Sequence, residues 1–468
     1  MPEISLLPAA TKSRSLTASA QTLVNLYPEV GPQDRVTLYG TPGLSLLCTL
    51  PFAPVRGAHA VGETAYFAAR DRIYRVTPAG GYTLIGRIHT TSGRVGFADN
   101  GTQLIIMDGT ADAFIVDIGA GVMTQITDAD LVACADPVFS DGFFLFREVN
   151  SGRIWKTSAY DGSGIDGLDF ATAEAMPDTT VGLCTDHGEI WVAGTQTIEA
   201  WQNTGSSDYP YSRIPGAIIE TGCASGATML NVDNTIFWLG QDTNGGGVVW
   251  RANGYTPQRI STHEIELILS GVSTLADCYA WTYQQDGHLF YVLTVPEAEK
   301  TLVYDVSTQF WHVRGYLMPL TGEMRRHRAC CHAFIGGKHL VGDYDTGNIY
   351  ELSDTTYSDN GDAIQRELTS QTIDSDGKRI FFNSLQLRMD AGVGLITGQG
   401  SNPQAMMATS PDGGNTWGNE RSITFGAIGM YQVRVIWKAL GSGFRKTFRV
   451  RITDPVPVAI TGAWVEFE

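Results

Sequence analysis

The sequence predicts an all-β protein in two parts: a β-propeller of about seven blades, with six as the alternative count, and a C-terminal β-sandwich-like platform domain. Three observations predict this. The 53 glycines, 18 tyrosines and 10 tryptophans are spread among short Val/Ile/Thr/Tyr runs, the composition of many short strands joined by tight turns. A weak repeat runs through the middle of the chain, and the texture of the sequence changes after Tyr357.

The repeat is clearest in "RGAHAVGETAYFAARDRIYRVTPAGGYTLIGRI" and "RVGFADNGTQLIIMDGTADAFIVDIGAGVMTQITD", each a strand, a Gly or Asn/Asp turn, a second strand, another turn and a third strand. Later copies begin "VGLCTDHGEIWVAG", "GCASGATMLNVDNTIFWLG", "AWTYQQDGHLFYVLTVPEAEK" and "CCHAFIGGKHLVGDYDTG", with a divergent copy around "DPVFSDGFFLFREVNSGRIWK". About seven units of roughly 33 to 46 residues match the period of propeller blades. One such small sheet cannot bury both faces alone, so the ring has to close before its core is dry. An ordinary β-sandwich with coincidental spacing is the competing account.

These units divide the chain into an N-terminal arm and strand joining the platform region (1–51), a propeller (52–357) and the platform domain (358–468). Local helix is expected at "QRISTHEIELILSG", where Ser261 and Glu264 have capping-box spacing. "TTYSDNGDAIQREL" is polar and reads as a boundary. Beyond it, "KRIFFNSLQLRMDAG", "QAMMATSPDGGNTWG", "QVRVIWKALGSGFRKTFRVRI" and "VAITGAWVEFE" alternate as the strands of a two-sheet sandwich do.

With 32 Lys and Arg against 49 Asp and Glu, the formal charge is −17, which argues against a surface that grips nucleic-acid phosphates. The opening "MPEISLLPAATKSRS" has no basic segment followed by an apolar one, and no apolar run reaches spanning length, so neither a secretion leader nor a membrane anchor is expected. Seven scattered cysteines (Cys48, Cys134, Cys184, Cys223, Cys278, Cys330, Cys331) read as buried thiols of a protein folded in a reducing cytosol. Against the acidic background, Arg421, Arg434, Lys438, Arg445, Lys446, Arg449 and Arg451 follow one another with no acidic residue between them. They form either a solvated strand face or a docking surface for an acidic partner.

Motifs that would carry chemistry are weak. Gly162, Gly164 and Gly167 match G-x-G-x-x-G but follow no long apolar strand, so they read as a loop. His327, Cys330, Cys331, His332 and His339 cluster in sequence, yet vicinal cysteines on a strand point to opposite faces and no second Cys pair completes a tetrahedron. Asp343, Asp345 and Asp354 lack the glycine position and bidentate glutamate of a calcium loop. No metal, cofactor or catalytic residue is assigned, and the protein is read as a non-enzyme. Ser410, Asp412, Gly414, Thr416 and Trp417 spell an Asp box, familiar from sialidases. It is a hairpin device in which Asp412 accepts backbone hydrogen bonds, Gly413 and Gly414 take positive φ, and Trp417 anchors the turn on a core.

Three stretches together resemble one family: "LVNLYPEVGPQDRVTLYGTPGLSLL", "LTVPEAEKTLVYDVSTQFWHVRG", and the end from "MMATSPDGGNTW" through "RVIWKALGSGFRKTFRVRITDPVPVAITG". The chain is similar to the tail hub, or nozzle, proteins of short-tailed bacteriophages, also called packaged-DNA stabilisation proteins. That resemblance implies a virion tail protein assembled in the host bacterial cytoplasm as a homo-hexamer. It would attach to the adaptor below the portal, extend the DNA channel and help retain the packaged genome. The other implied partners are a tail needle or plug and tailspikes or fibres, with genomic DNA passing through unread. The alternative is a glycan-binding or glycan-cleaving propeller in a receptor-binding tail component.

Overall fold

The computed structural model describes residues 19–31, 35–173, 176, 178–241, 245–375 and 377–468, together with the backbone of 3–4. The rest of the first eighteen residues of the expected arm lies outside the described residues. Seven sheets follow one another along the chain, each built on a run of consecutive antiparallel strands. Blade one is Val55–Val61, Thr64–Ala69, Arg72–Val76 and Tyr82–Arg87. Blade two is Gly96–Asp99, Gln103–Met107, Ala113–Asp117 and Val122–Gln125. Blade three runs from Cys134–Ser140 to Phe170–Thr172, blade four from Thr180–Asp186 to Tyr211–Ile219, and blade five from Leu230–Val232 to Thr256–Arg259. Blade six runs from Tyr279–Gln285 to Phe310–Leu317, and blade seven opens with Ala329–Ile335.

Each blade has four strands rather than the three read from the repeat. The fourth is the outermost, and in blades one, two and five it is mostly exposed, so it carries no apolar pulse. In blade seven it is not local at all. Gly43–Thr49 pairs antiparallel with Asn348–Ser353 and supplies the outer strand from the other end of the ring. The 1–51 segment therefore serves the ring as well as the platform. Seven apolar clusters lie between successive blades, the last joining Val55, Phe67 and Val76 of blade one to Ala333, Leu340 and Ile349 of blade seven. The first strands converge on an axial cavity of about 800 Å³ that every blade lines. Small residues permit that approach: a Cβ on Gly226 would lie 1.9 Å from the Val181 carbonyl oxygen.

Residues 358–468 form two packed sheets over an apolar core that includes Leu385, Trp437, Phe448, Val450 and Val465. The arm belongs to this core through Leu23, Leu26 and Leu38. One of the two sheets is continuous with blade six. Thr22–Val24 pairs in parallel with Phe310–Leu317 on one side and antiparallel with Arg366–Thr369 on the other, which passes the ladder on to Arg445–Ile452 and Gln404–Ser410. Eleven strands thus run from the propeller into the sandwich.

The expected helix is His263–Leu269, but its N-cap position is Thr262, whose side chain makes no capping hydrogen bond, rather than the Ser261 of a Ser261 to Glu264 box. The Ser261 hydroxyl is engaged elsewhere, accepting from the Val249 amide and donating to Glu266.

Candidate functional site

Several buried polar side chains meet at the join between ring and sandwich. Asn25, 2% exposed, follows the linking strand and holds a φ of 52°, a left-handed conformation that Asn tolerates better than most residues. Its side-chain amide donates to the carbonyls of Gly315 (3.0 Å) and Gln365 (2.9 Å), and its Oδ1 accepts from the Gly315 amide (2.9 Å). One side chain thereby ties arm, blade six and sandwich together. Arg314 donates to the Pro42 carbonyl and the Tyr283 hydroxyl, while Arg366 reaches the carbonyls of Asp454 and Tyr357. Arg328 binds Asp343 and lies 4.1 Å over the Tyr316 ring, whose hydroxyl donates to Asp362. Among these cations sits Asp359, 3% exposed; burial pushes its carboxyl up to about 6, and the field of Arg314, Arg366 and Arg328 only partly offsets that. Asn25 and this cluster carry no motif in the sequence.

The Asp box forms its hairpin. The Ser410 hydroxyl donates to Asp412 Oδ1 and accepts the Gly414 amide, both at 2.7 Å, and Asp412 accepts the Thr416 amide at 2.9 Å and its hydroxyl at 2.6 Å. These donors hold the Asp412 carboxyl well below the usual carboxylate range. Gly413 and Gly414 have φ of 76° and 98°. Trp417, however, does not sink into the sandwich core; it is half-buried beneath the Arg449 guanidinium, 4.3 Å from its ring centre. Gly414 sits against Ala20, just ahead of the linking strand.

The seven basic residues do not make one surface. Arg421, Arg434, Lys438 and Arg445 are exposed; Arg421 donates to the carbonyls of Lys438 and Ala439, and Arg434 to Gln386. Lys446 is 7% exposed, donates to the Leu440 carbonyl and lies over the Phe382 ring. Arg449 and Arg451 have acidic neighbours: both reach Glu420, at 3.6 and 3.0 Å, and Arg451 also binds Glu367 at 2.6 Å. The reason is strand alternation. On Arg445–Ile452, Lys446 shares the inward face with Phe448, Val450 and Ile452, and Glu420, one residue outside the basic run, sits between the two arginines. The candidate docking surface is therefore reduced to its exposed four.

The vicinal cysteines also differ from expectation. A register shift lies between Ala329 and Cys331, the Cys330 and Cys331 sulfurs are 3.9 Å apart, and the single Cys330 thiol proton is within reach of two carbonyls, Gly342 on its own blade and Val55 across the seam that closes the ring. All seven cysteines are free thiols, and burial pushes Cys134, Cys223 and Cys278 up to about 12. His332 and His339 contact each other at 2.9 Å, whereas His327 is buried apart, its amide bonded to Thr301. Among the described residues no three His, Cys, Asp or Glu side chains are grouped to hold a metal ion. Asp343 is a fully buried structural acceptor, bound by Arg328, Thr346 and Tyr350. Gly162 and Gly167 lie in a loop whose amides are held by Gln103 and Asp130.

Comparison with known proteins follows this two-part geometry. A family model described as "Bacteriophage P22 Gp10, beta-propeller" matches residues 4–357, and one described as "Bacteriophage P22 Gp10, beta-sandwich" matches residues 365–468. The "Tail hub protein gp10" of Salmonella phage P22 is 22% identical over 302 residues, a match spanning 63% of this chain and 62% of that relative. Among solved structures, the WD40 β-propeller domain of Doa1 and U3-55K each align with a TM-score of 0.41 and 11% identity. They cover 67% and 66% of this chain and 97% and 99% of their own. With the propeller model and the sandwich model of one family lying in order over the ring and the platform, this chain belongs to the bacteriophage P22 Gp10 family.

Proposed function

We propose that this protein is a structural component of a short phage tail, a hub or nozzle that encloses the path of the DNA below the portal. The observation that carries the reading is the succession of both family models along the chain, together with the name of the relative they share. In this reading six copies ring the tail axis, attach to the adaptor, extend the channel, help retain the packaged genome and offer seats to a needle or plug and to spikes or fibres. The physical properties suit that duty. Residues 358–468 carry eleven acidic and eleven basic side chains, so the whole formal charge of −17 resides in residues 1–357. A conduit of that sign lets DNA slide past without specific binding. The sheet running unbroken from blade six into the sandwich makes ring and platform a stiff unit, as a load-carrying collar requires.

The test is reconstitution. Purified protein is mixed with capsids whose tails lack it but keep the adaptor, and the particles are imaged by negative-stain electron microscopy. A six-fold collar on the portal vertex is the expected result. Bare vertices with free subunits in solution would overturn the reading.

A further inference from the structure

Of the seven large apolar side chains that residues 358–468 expose, Phe381 and Phe444 lie near the start of Ile380–Met389, and the other five are gathered beyond its end. Leu395, Ile396 (84% exposed), Ile428, Met430 and Tyr431 (74% exposed) sit on the loops 390–403 and 425–434. The loops touch: a Cβ on Gly392 would lie 2.8 Å from the Tyr431 ring, and one on Gly394 would lie 3.1 Å from the Ile428 amide. Together they form an apolar knuckle beside the exposed Arg388 and Arg434, with Asp390 at its base. An exposed apolar cluster with a charged rim marks an interaction site.

A complementary surface exists on the same molecule, out of its own reach. Blades two and three, residues 96–172, hold twelve acidic and three basic side chains, about half of the acidic excess of the chain. Between the outer strands of blade two and the 161–169 loop lies a groove of about 670 Å³, lined by Gln103, Asp117, Val122, Gln125, Asp128 and Ser163. Val122, Tyr160 and Leu168 are exposed in this part of the ring at 54%, 72% and 85%. The sandwich is joined to the ring at blade six. In a ring of seven, blades two and three are each three places from blade six, on the far side, so the knuckle of a chain cannot close on its own groove.

We propose that the Ile396/Tyr431 knuckle of one copy docks into the acidic blade-two groove of the next. The inference rests on the hub reading and deepens it. It makes the contact heterologous, with different surfaces on the two partners, which closes into a ring when the rotation per subunit allows. Apolar burial by the knuckle supplies affinity, while Arg388 and Arg434 against Asp117 and Asp128 supply orientation and exclude a sandwich-to-sandwich pairing, which offers no acidic excess.

The experiment places a photo-crosslinker in assembled particles as Tyr431→p-benzoylphenylalanine. After irradiation, products are sized and mapped by mass spectrometry. The expected product has twice the 50.7 kDa subunit mass and joins position 431 to peptides from 96–172. Crosslinks to 358–468 of another copy, to a different virion protein, or to nothing while the protein is present in particles would overturn the contact and leave the hub reading standing. Asp117→Asn, which keeps an acceptor for the Ala120 amide, should lower the crosslink yield about tenfold if the charge pairing orients the contact; an unchanged yield would refute the electrostatic half. Failure of native-sequence protein itself to enter particles would sink the hub reading and this proposal with it.

Discussion

Replacing Asn25 should separate ring from sandwich, and the cost can be worked from its bonds. Asn25→Gly keeps the φ of 52° accessible but removes the two hydrogen bonds donated to Gly315 and Gln365 and the one accepted from the Gly315 amide. At about 1 kcal/mol net for each, and more where a carbonyl stays dry, the loss is about 3–4 kcal/mol. Asn25→Ala loses the same bonds and adds about 1 kcal/mol, because an L-side chain without local hydrogen bonding resists the left-handed region. Urea titration read by tryptophan fluorescence gives the two midpoints, and hydrogen exchange by mass spectrometry gives the location. Exchange should quicken in 22–25, 313–315 and 365–369 and stay unchanged in blades two to four. A loss below about 1 kcal/mol in both variants, or an alanine variant no weaker than the glycine one, would refute the reasoning.

Three further outcomes follow from the same geometry. Asp359 binds its proton more tightly when folded than unfolded, since its carboxyl is raised to about 6; its contribution is fully present below the unfolded value near 4 and is lost as pH rises through about 6. His312 and His327, buried and held low, act in the opposite sense, so the measurement is the difference between native protein and Asp359→Asn: the variant should gain on the order of 1–3 kcal/mol relative to native between pH 4 and 7, and parallel stability curves would refute this. Truncation before residue 50 strips the outer strand from blade seven and Leu23, Leu26 and Leu38 from the sandwich core, so the product should aggregate through the bared edge; a monodisperse monomer by size-exclusion chromatography would contradict that. Charge reversal at Lys446 should cost about 3–5 kcal/mol, because it puts a carboxylate against the Leu440 carbonyl, whereas Arg445→Glu, on an exposed side chain, should change thermal stability by only about 0.5 kcal/mol. Equal effects would show that the division of the basic run is mistaken.

The sequence by itself determined the composition of the ring and the order of its parts. Apolar pulses at blade spacing survive in the inner strands because those strands are buried on both faces, as in Thr64–Ala69 and Gln103–Met107. The Asp box was legible for a similar reason, since its donors and acceptors lie within seven residues and need no distant partner. Tertiary structure alone decided how the ring closes and what it is welded to. Gly43–Thr49 meets Asn348–Ser353 across some three hundred residues, and a pairing of that separation leaves no periodic trace in either segment. The basic run illustrates the same limit: seven cations in succession look alike in sequence, but strand alternation buries Lys446, Glu420 neutralises Arg449 and Arg451, and only the remainder face solvent. The buried Asp359 and its arginines were invisible because their meeting depends on three distant segments folding against one another, which charge patterning along one chain does not encode.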